Sequence, residues 1–164
     1  MVHSISKEEL LKAGCLHAGK LDEAFALYRS AIISANNESD MLVFIRRLYS
    51  ENKGAVFADF YYPVLDAQSQ ERFRACLDGP QLKMAEAFQA SDGQVYYPLK
   101  EEWMLDFLVM ATARNWLFST FYFADKKAML WGNYDLKFPI FCEDEANLQE
   151  YMELAKVYGL ECHK

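Results

Sequence analysis

The sequence predicts an α+β fold: N-terminal helices, then an antiparallel sheet that includes a C-terminal three-strand meander over about 116–142, packed by a C-terminal helix. Three observations predict it. Aromatic and β-branched residues fill the runs 116–123, 128–132 and 136–142, while Ala124-Asp125-Lys126-Lys127 and Gly132-Asn133 break them, which is the composition of strands joined by short turns. Apolar residues recur at helical spacing between Leu10 and Tyr49 and again around Trp103. Asp144 follows the third run directly. Its carboxylate can cap a last helix that turns Leu148, Tyr151, Met152, Ala155 and Val157-Tyr158 inward, with Gly159 as its stop.

Taken in order, Ser6-Lys7-Glu8-Glu9 has the capping-box form and opens a first helix at Leu10 and Leu11. Gly14 and Gly19 bracket a turn. Beyond it Leu21, Ala24, Phe25, Leu27, Tyr28, Ala31 and Ile32 describe a longer second helix that runs up to Asn36-Asn37. Within it, Gly19-Lys20-Leu21-Asp22-Glu23-Ala24-Phe25-Ala26-Leu27 and the residues up to Ile32 resemble the second half of a tetratricopeptide repeat. The repeat's first helix is poorly matched, and one period of about 34 residues further on the chain reads as a strand, so an ordinary helical hairpin is expected rather than a solenoid.

A third helix, capped by Ser39 or Asp40, carries the stripe Met41, Leu42, Phe44, Ile45, Leu48 and Tyr49, with Arg46 and Arg47 outward. The β-rich run Ala55–Val64 contains Pro63, which cannot donate to a ladder, so that strand is expected to lie at an edge or to end there. Asp66 caps a helix through Phe73 and Leu77, and Asp78-Gly79-Pro80 starts another, Gln81 to Ala90. Tyr96-Tyr97-Pro98 is extended. From Leu99 onward, Trp103, Met104, Phe107, Leu108, Met110 and Ala111 form a mostly buried helix with Glu101, Glu102 and Asp106 on its wet side.

The chain has 164 residues, enough for one well-buried core, and no linker or low-complexity run interrupts it; one domain over 1–164 is expected. A net charge of −7 opposes binding to phosphate backbones and favours a basic protein partner. The start Met1–Glu9 lacks a basic stretch followed by an apolar one, and no run approaches the length of a membrane span, which predicts a cytoplasmic protein without membrane contact. Cys15, Cys76, Cys142 and Cys162 are widely spaced and read as free thiols.

No motif carries a reaction, so no catalytic residue is assigned and no cofactor is implied. Of the histidines His3, His17 and His163, only His17 lies inside the predicted fold, and neither a nucleophile elbow nor a phosphate loop is present. Cys15, His17, Cys162 and His163 could bind a metal only if the ends met, and the last two sit on a tail expected to be mobile. Aromatic residues, at 15%, exceed the needs of a core this size, so some should be exposed. Trp131, Tyr134, Tyr61 and Tyr62 are the candidates for a partner-binding patch, joined by the carboxylates of Asp135 and of Glu143-Asp144-Glu145. The expected function is therefore a small acidic protein-binding module of inhibitor or immunity type that occludes a basic partner. The competing expectation is a small enzyme or ligand-binding domain, its pocket between the sheet and the Trp103 helix, with Glu102, Trp103 and Asp106 in it.

Overall fold

The computed structural model describes residues 1–164. Nine strands, β1 (Val2–His3), β2 (Arg29–Ser34), β3 (Val56–Asp59), β4 (Phe88–Gln89), β5 (Tyr96–Pro98), β6 (Thr120–Phe123), β7 (Ala128–Trp131), β8 (Lys137–Cys142) and β9 (Glu161–His163), alternate with helices. The helices are α1 (Lys7–Lys12), α2 (Leu21–Leu27), α3 (Glu38–Glu51), α4 (Ala67–Arg74), α5 (Gly79–Ala87), α6 (Glu102–Ala113) and α7 (Glu145–Val157). Seven strands form one sheet in the order β5-β3-β6-β7-β8-β2-β9, antiparallel at every pairing. Its centre is the expected meander, β6-β7-β8. The first of these strands starts at Thr120 rather than at 116, because Asn115 adopts a left-handed φ of 58° and turns the chain out of α6. No helix is long and apolar enough to cross a membrane.

Strict alternation divides the sheet into two faces. Val56, Ala58, Phe121, Phe123, Ala128, Leu130, Phe138 and Ile140 point to one side, under α3, α6 and α7. Phe57, Tyr122, Met129 and Phe141 point to the other, under Leu10, Leu16, Ala18 and Ala24 of the α1–α2 region. The first core unites 33 buried residues and the second only 10, so the short α1–α2 pair leaves part of its face uncovered. Full burial of a Phe or Leu side chain is worth about 1.5–3 kcal/mol, which makes the larger core the main source of stability.

Four sequence expectations are corrected. The second helix stops at Leu27, and Arg29–Ser34 is a strand between β8 and β9. The 3.6-residue spacing of Leu27 and Ala31 misled, because Ala31 and Ile33 also alternate, and Tyr28 at φ −124°, ψ 160° makes the switch. The likeness to a tetratricopeptide repeat thus spans a helix and a strand. Secondly, β3 is internal, flanked by β5 and β6, and ends at Asp59 well before Pro63, which enters a 3-10 turn over Tyr62–Val64. Thirdly, the helix expected over 81–90 runs from Gly79 to Ala87, with Asp78 and Gln81 closing a capping box, and yields to β4, which pairs in parallel with β1. Lastly, the C-terminal tail is an edge strand, β9, on Ile32–Ser34 of β2.

Candidate functional site

The uncovered part of the second face lies at one end of the sheet. Register builds it. Asp59 stands opposite Tyr96 on β5, and the pairings Phe57↔Tyr122 and Ala58↔Phe121 bring Thr120 of β6 to its other side. Thr120 in turn faces Trp131 on β7. A single row, Tyr96, Asp59, Thr120, Trp131, therefore crosses four strands on one face. The next row, Phe57, Tyr122 and Met129, is buried beneath the α1–α2 region, so the first row is where the cover ends.

A recess of about 380 Å³ sits over this row. The α1–α2 connection bounds it on one side with His17, Ala18 and Gly19, and Tyr61 closes another side just beyond β3. Phe118, Asn133 and Tyr134 form the far wall, where Tyr134 meets Phe118 edge-on at 4.6 Å between ring centroids. That wall depends on Gly132: a Cβ there would lie 2.3 Å from the Ser119 carbonyl oxygen and 2.6 Å from Thr112 Cγ2, so only glycine lets the two segments approach. The β7–β8 ladder ends at Leu130↔Ile140 beside Pro139, which has no N–H to extend it, while Trp131 stays paired with Thr120 and the Gly132 amide donates to the Ser119 carbonyl at 3.0 Å.

His17 is held on several sides. Its ring stacks on Tyr122 at 6.3 Å, nearly parallel, Nε2 lies 2.8 Å from the Tyr96 hydroxyl, and its carbonyl accepts from the Tyr28 hydroxyl at 3.1 Å. Burial pushes its pKa below the usual value, Lys7 adds to that and Glu23 opposes it, so the ring is neutral at pH 7. The phenols of Tyr61, Tyr96 and Tyr122 are all pushed up, first by burial and then by Asp59, so they remain protonated donors.

Asp59 forms the floor. It is 7% exposed. Its Oδ1 accepts from the Thr120 amide at 2.8 Å, and the Thr120 and Tyr122 hydroxyls lie near enough to favour ionisation. Burial outweighs them and raises its pKa from 3.8 to about 7. A carboxyl poised between its two charge states beneath a ring of aromatics can receive a cation, donate to a neutral acceptor, or exchange a proton. A thiol nucleophile is absent from this set of options, since burial pushes the nearby Cys15 up to about 12.

The residues singled out from sequence divide. Trp131, Tyr134 and Tyr61 meet at the recess, and Asp135 follows Tyr134 in an exposed 3-10 turn at a left-handed φ of 58°. Tyr62, expected to be exposed, is buried in the larger core with its hydroxyl accepting from Arg74. Glu143, Asp144 and Glu145 lie at the opposite end of the meander. There Glu143 pairs with Lys127, Glu145 with Arg29 and Lys164, and Asp144 caps α7 by accepting from the Asn147 amide at 2.7 Å. Glu102 and Asp106 both face Arg46, and Trp103 packs on Phe88 and donates to Glu101; none of the three lines the recess. Cys15, His17, Cys162 and His163 do not converge, the first two lying over the sheet and the others on its β9 edge.

Sequence reasoning missed Asp59, Tyr96, Thr120, Tyr122 and Phe118 as site residues. One signal was present: Asp59 is the sole charged residue in the run Ala55–Val64, and a carboxylate in a buried strand requires a reason. No family model matches the chain, and neither a curated protein nor a solved structure matches it.

Proposed function

We propose that this protein is a binding module that docks a basic protein partner over the uncovered end of the sheet, acting as an inhibitor or immunity-type protein by occluding that partner. The observation that carries the reading is the row Tyr96, Asp59, Thr120, Trp131: it pairs the one buried carboxyl of the sheet with large aromatic side chains at a rim that no helix covers. Interface hot spots favour Trp and Tyr set around a desolvated centre, and Trp131, Tyr61 and Tyr134 supply that arrangement. The net charge of −7 would accelerate encounter with a basic surface and make the rate depend on salt. A capture experiment from source lysate, followed by surface plasmon resonance on the captured protein, tests the reading. Trp131→Ala should raise the dissociation rate by about 30-fold, the equivalent of about 2 kcal/mol, with a smaller effect on association. A stoichiometric partner that ignores Trp131→Ala and Tyr134→Ala would move the interface elsewhere.

A further inference from the structure

The docking reading leaves open what enters the recess, and the chemistry of its floor narrows the choice. We infer that the recess takes the ammonium group of a lysine side chain, primary or N-methylated, with Asp59 as counter-charge and the surrounding rings as walls. The inference rests on the docking reading for its source, a basic partner, and on four features of the recess itself.

Asp59 is the only acidic side chain in the lining, and no lining side chain carries a fixed positive charge, since His17 is held below its usual pKa. An entering cation therefore meets one anion and no competitor. Six aromatic side chains surround it: Tyr61, Tyr96, Phe118, Tyr122, Trp131 and Tyr134. Rings around a desolvated cation are the recognised arrangement for lysine and methyl-lysine ammonium groups, because the negative faces of the rings attract the charge.

Carboxylate geometry separates ammonium from guanidinium. A guanidinium binds best as a fork across both carboxylate oxygens. Here Oδ1 is already occupied by the Thr120 amide at 2.8 Å and the Thr120 and Tyr122 hydroxyls lie close to the carboxylate, so the floor has no two free oxygens to offer a fork and suits a point charge instead. The volume of about 380 Å³ has room for a lysine side-chain end, methylated or not.

Proton linkage follows. Asp59 must be ionised to serve as counter-charge, and burial has pushed its pKa up to about 7. The groups that face it are the Tyr96 hydroxyl from β5, the Thr120 and Tyr122 hydroxyls from β6, Tyr61 beyond β3, and His17 from the α1–α2 connection with Lys7 and Glu23 near that ring. The tyrosines stay protonated across the neutral range and His17, held below its usual pKa, is neutral at pH 7 and above, so Asp59 governs the pH dependence there. Ammonium binding should tighten by up to tenfold per pH unit below about 7 and level off above it.

Nuclear magnetic resonance titration of the full chain with N-acetyl-lysine methylamide, its trimethyl-lysine form, N-acetyl-arginine methylamide and N-acetyl-norleucine methylamide tests this. The expected result is saturable shifts of the Trp131 indole and the Thr120 amide with both lysine probes, weaker binding of arginine, and none by norleucine. Asp59→Asn should lower lysine affinity at least tenfold and abolish its pH dependence, and Tyr61→Leu, at an exposed rim position, should weaken the trimethyl probe most. Tighter binding of the arginine or norleucine probe than of lysine would overturn the inference, as would lysine binding unchanged in Asp59→Asn. If no probe binds up to 50 mM while a captured protein still requires Trp131, the lysine inference fails and the docking reading stands. If lysine probes bind through Asp59 but no protein is captured, the inference stands and the docking reading fails.

Discussion

The two faces of the sheet are built by the same strands, one residue out of step, yet they are covered to different extents. Ala58, Phe121 and Leu130 stand in one row on the closed face, each fully buried beneath long helices. One position along, Asp59, Thr120 and Trp131 stand in a row on the other face, where the cover runs out. Helix length sets the contrast. Helices α3, α6 and α7 have 14, 12 and 13 residues, whereas α1 and α2 have 6 and 7, about 10 Å each. A short cover leaves room for a carboxyl and several hydroxyls to reach a recess, which a fully closed face would have to exclude or pair internally. The larger core and the open recess therefore lie on opposite sides of one sheet.

Single truncations on the two faces should differ in cost. Phe121→Ala, which empties a fully buried position, should cost about 3–5 kcal/mol in urea unfolding. Trp131→Ala, at a half-buried position on the open face, should cost no more than about 1–2 kcal/mol while impairing binding. Equal losses would mean that the recess is part of the structural core.

Asp59→Asn probes the open face through pH. An aspartate in the unfolded chain titrates near 3.8 and this one near 7, so folding favours its neutral form. Its contribution to stability is fully present below about pH 4 and is lost as pH rises through 7. The asparagine variant cannot ionise and keeps the acceptor for the Thr120 amide, so it should gain on the parent between pH 4 and 8. The slope is at most about 1.4 kcal/mol per pH unit and the total is on the order of 3–4 kcal/mol. Thermal melts of the two proteins across that range check it: curves that stay parallel would show that the carboxyl is solvated and not held in a desolvated floor.

Much of this architecture is legible locally. The meander, the capped α4, α5 and α7, and the stop at Gly159 (φ 83°) all follow from strand composition, capping side chains and turn residues within a few positions of one another. What escaped was non-local. β2 is a strand because β8 and β9 flank it, although Leu27 and Ala31 suit a helix equally well. β1 and β4 are two residues each and exist only through each other. The recess depends on register: nothing near Asp59 in sequence announces that Tyr96, Thr120 and Trp131 will stand beside it. Trp131 and Tyr134 were legible as rim residues because a Trp before a Gly-Asn turn is hard to bury. Glu143-Asp144-Glu145 stand apart from this rim, and sequence nearness to the turn hid that separation along the strand.

That separation predicts only a weak influence of the acidic cluster on the recess. Trp131 lies level with Pro139 on β8, and Glu143 stands four residues further along, about 13 Å away at 3.3 Å per residue. The Debye length at 0.15 M salt is about 8 Å, so exposed charges at that distance are largely screened from a cation entering the recess. Both carboxylates are also engaged locally, Glu143 with Lys127 and Glu145 with Arg29 and Lys164, which reduces the field they project. Surface pairs of this kind contribute only about 0–1 kcal/mol, so Glu143→Gln with Glu145→Gln should leave stability nearly unchanged. At physiological salt the double variant should slow partner association less than twofold, and the effect should grow as salt is lowered toward 0.01 M, where the screening length reaches about 30 Å. Association rates measured over that salt range decide the point: a large loss already at 0.15 M would place Glu143 and Glu145 inside the interface and extend it along the whole meander, beyond the uncovered end of the sheet.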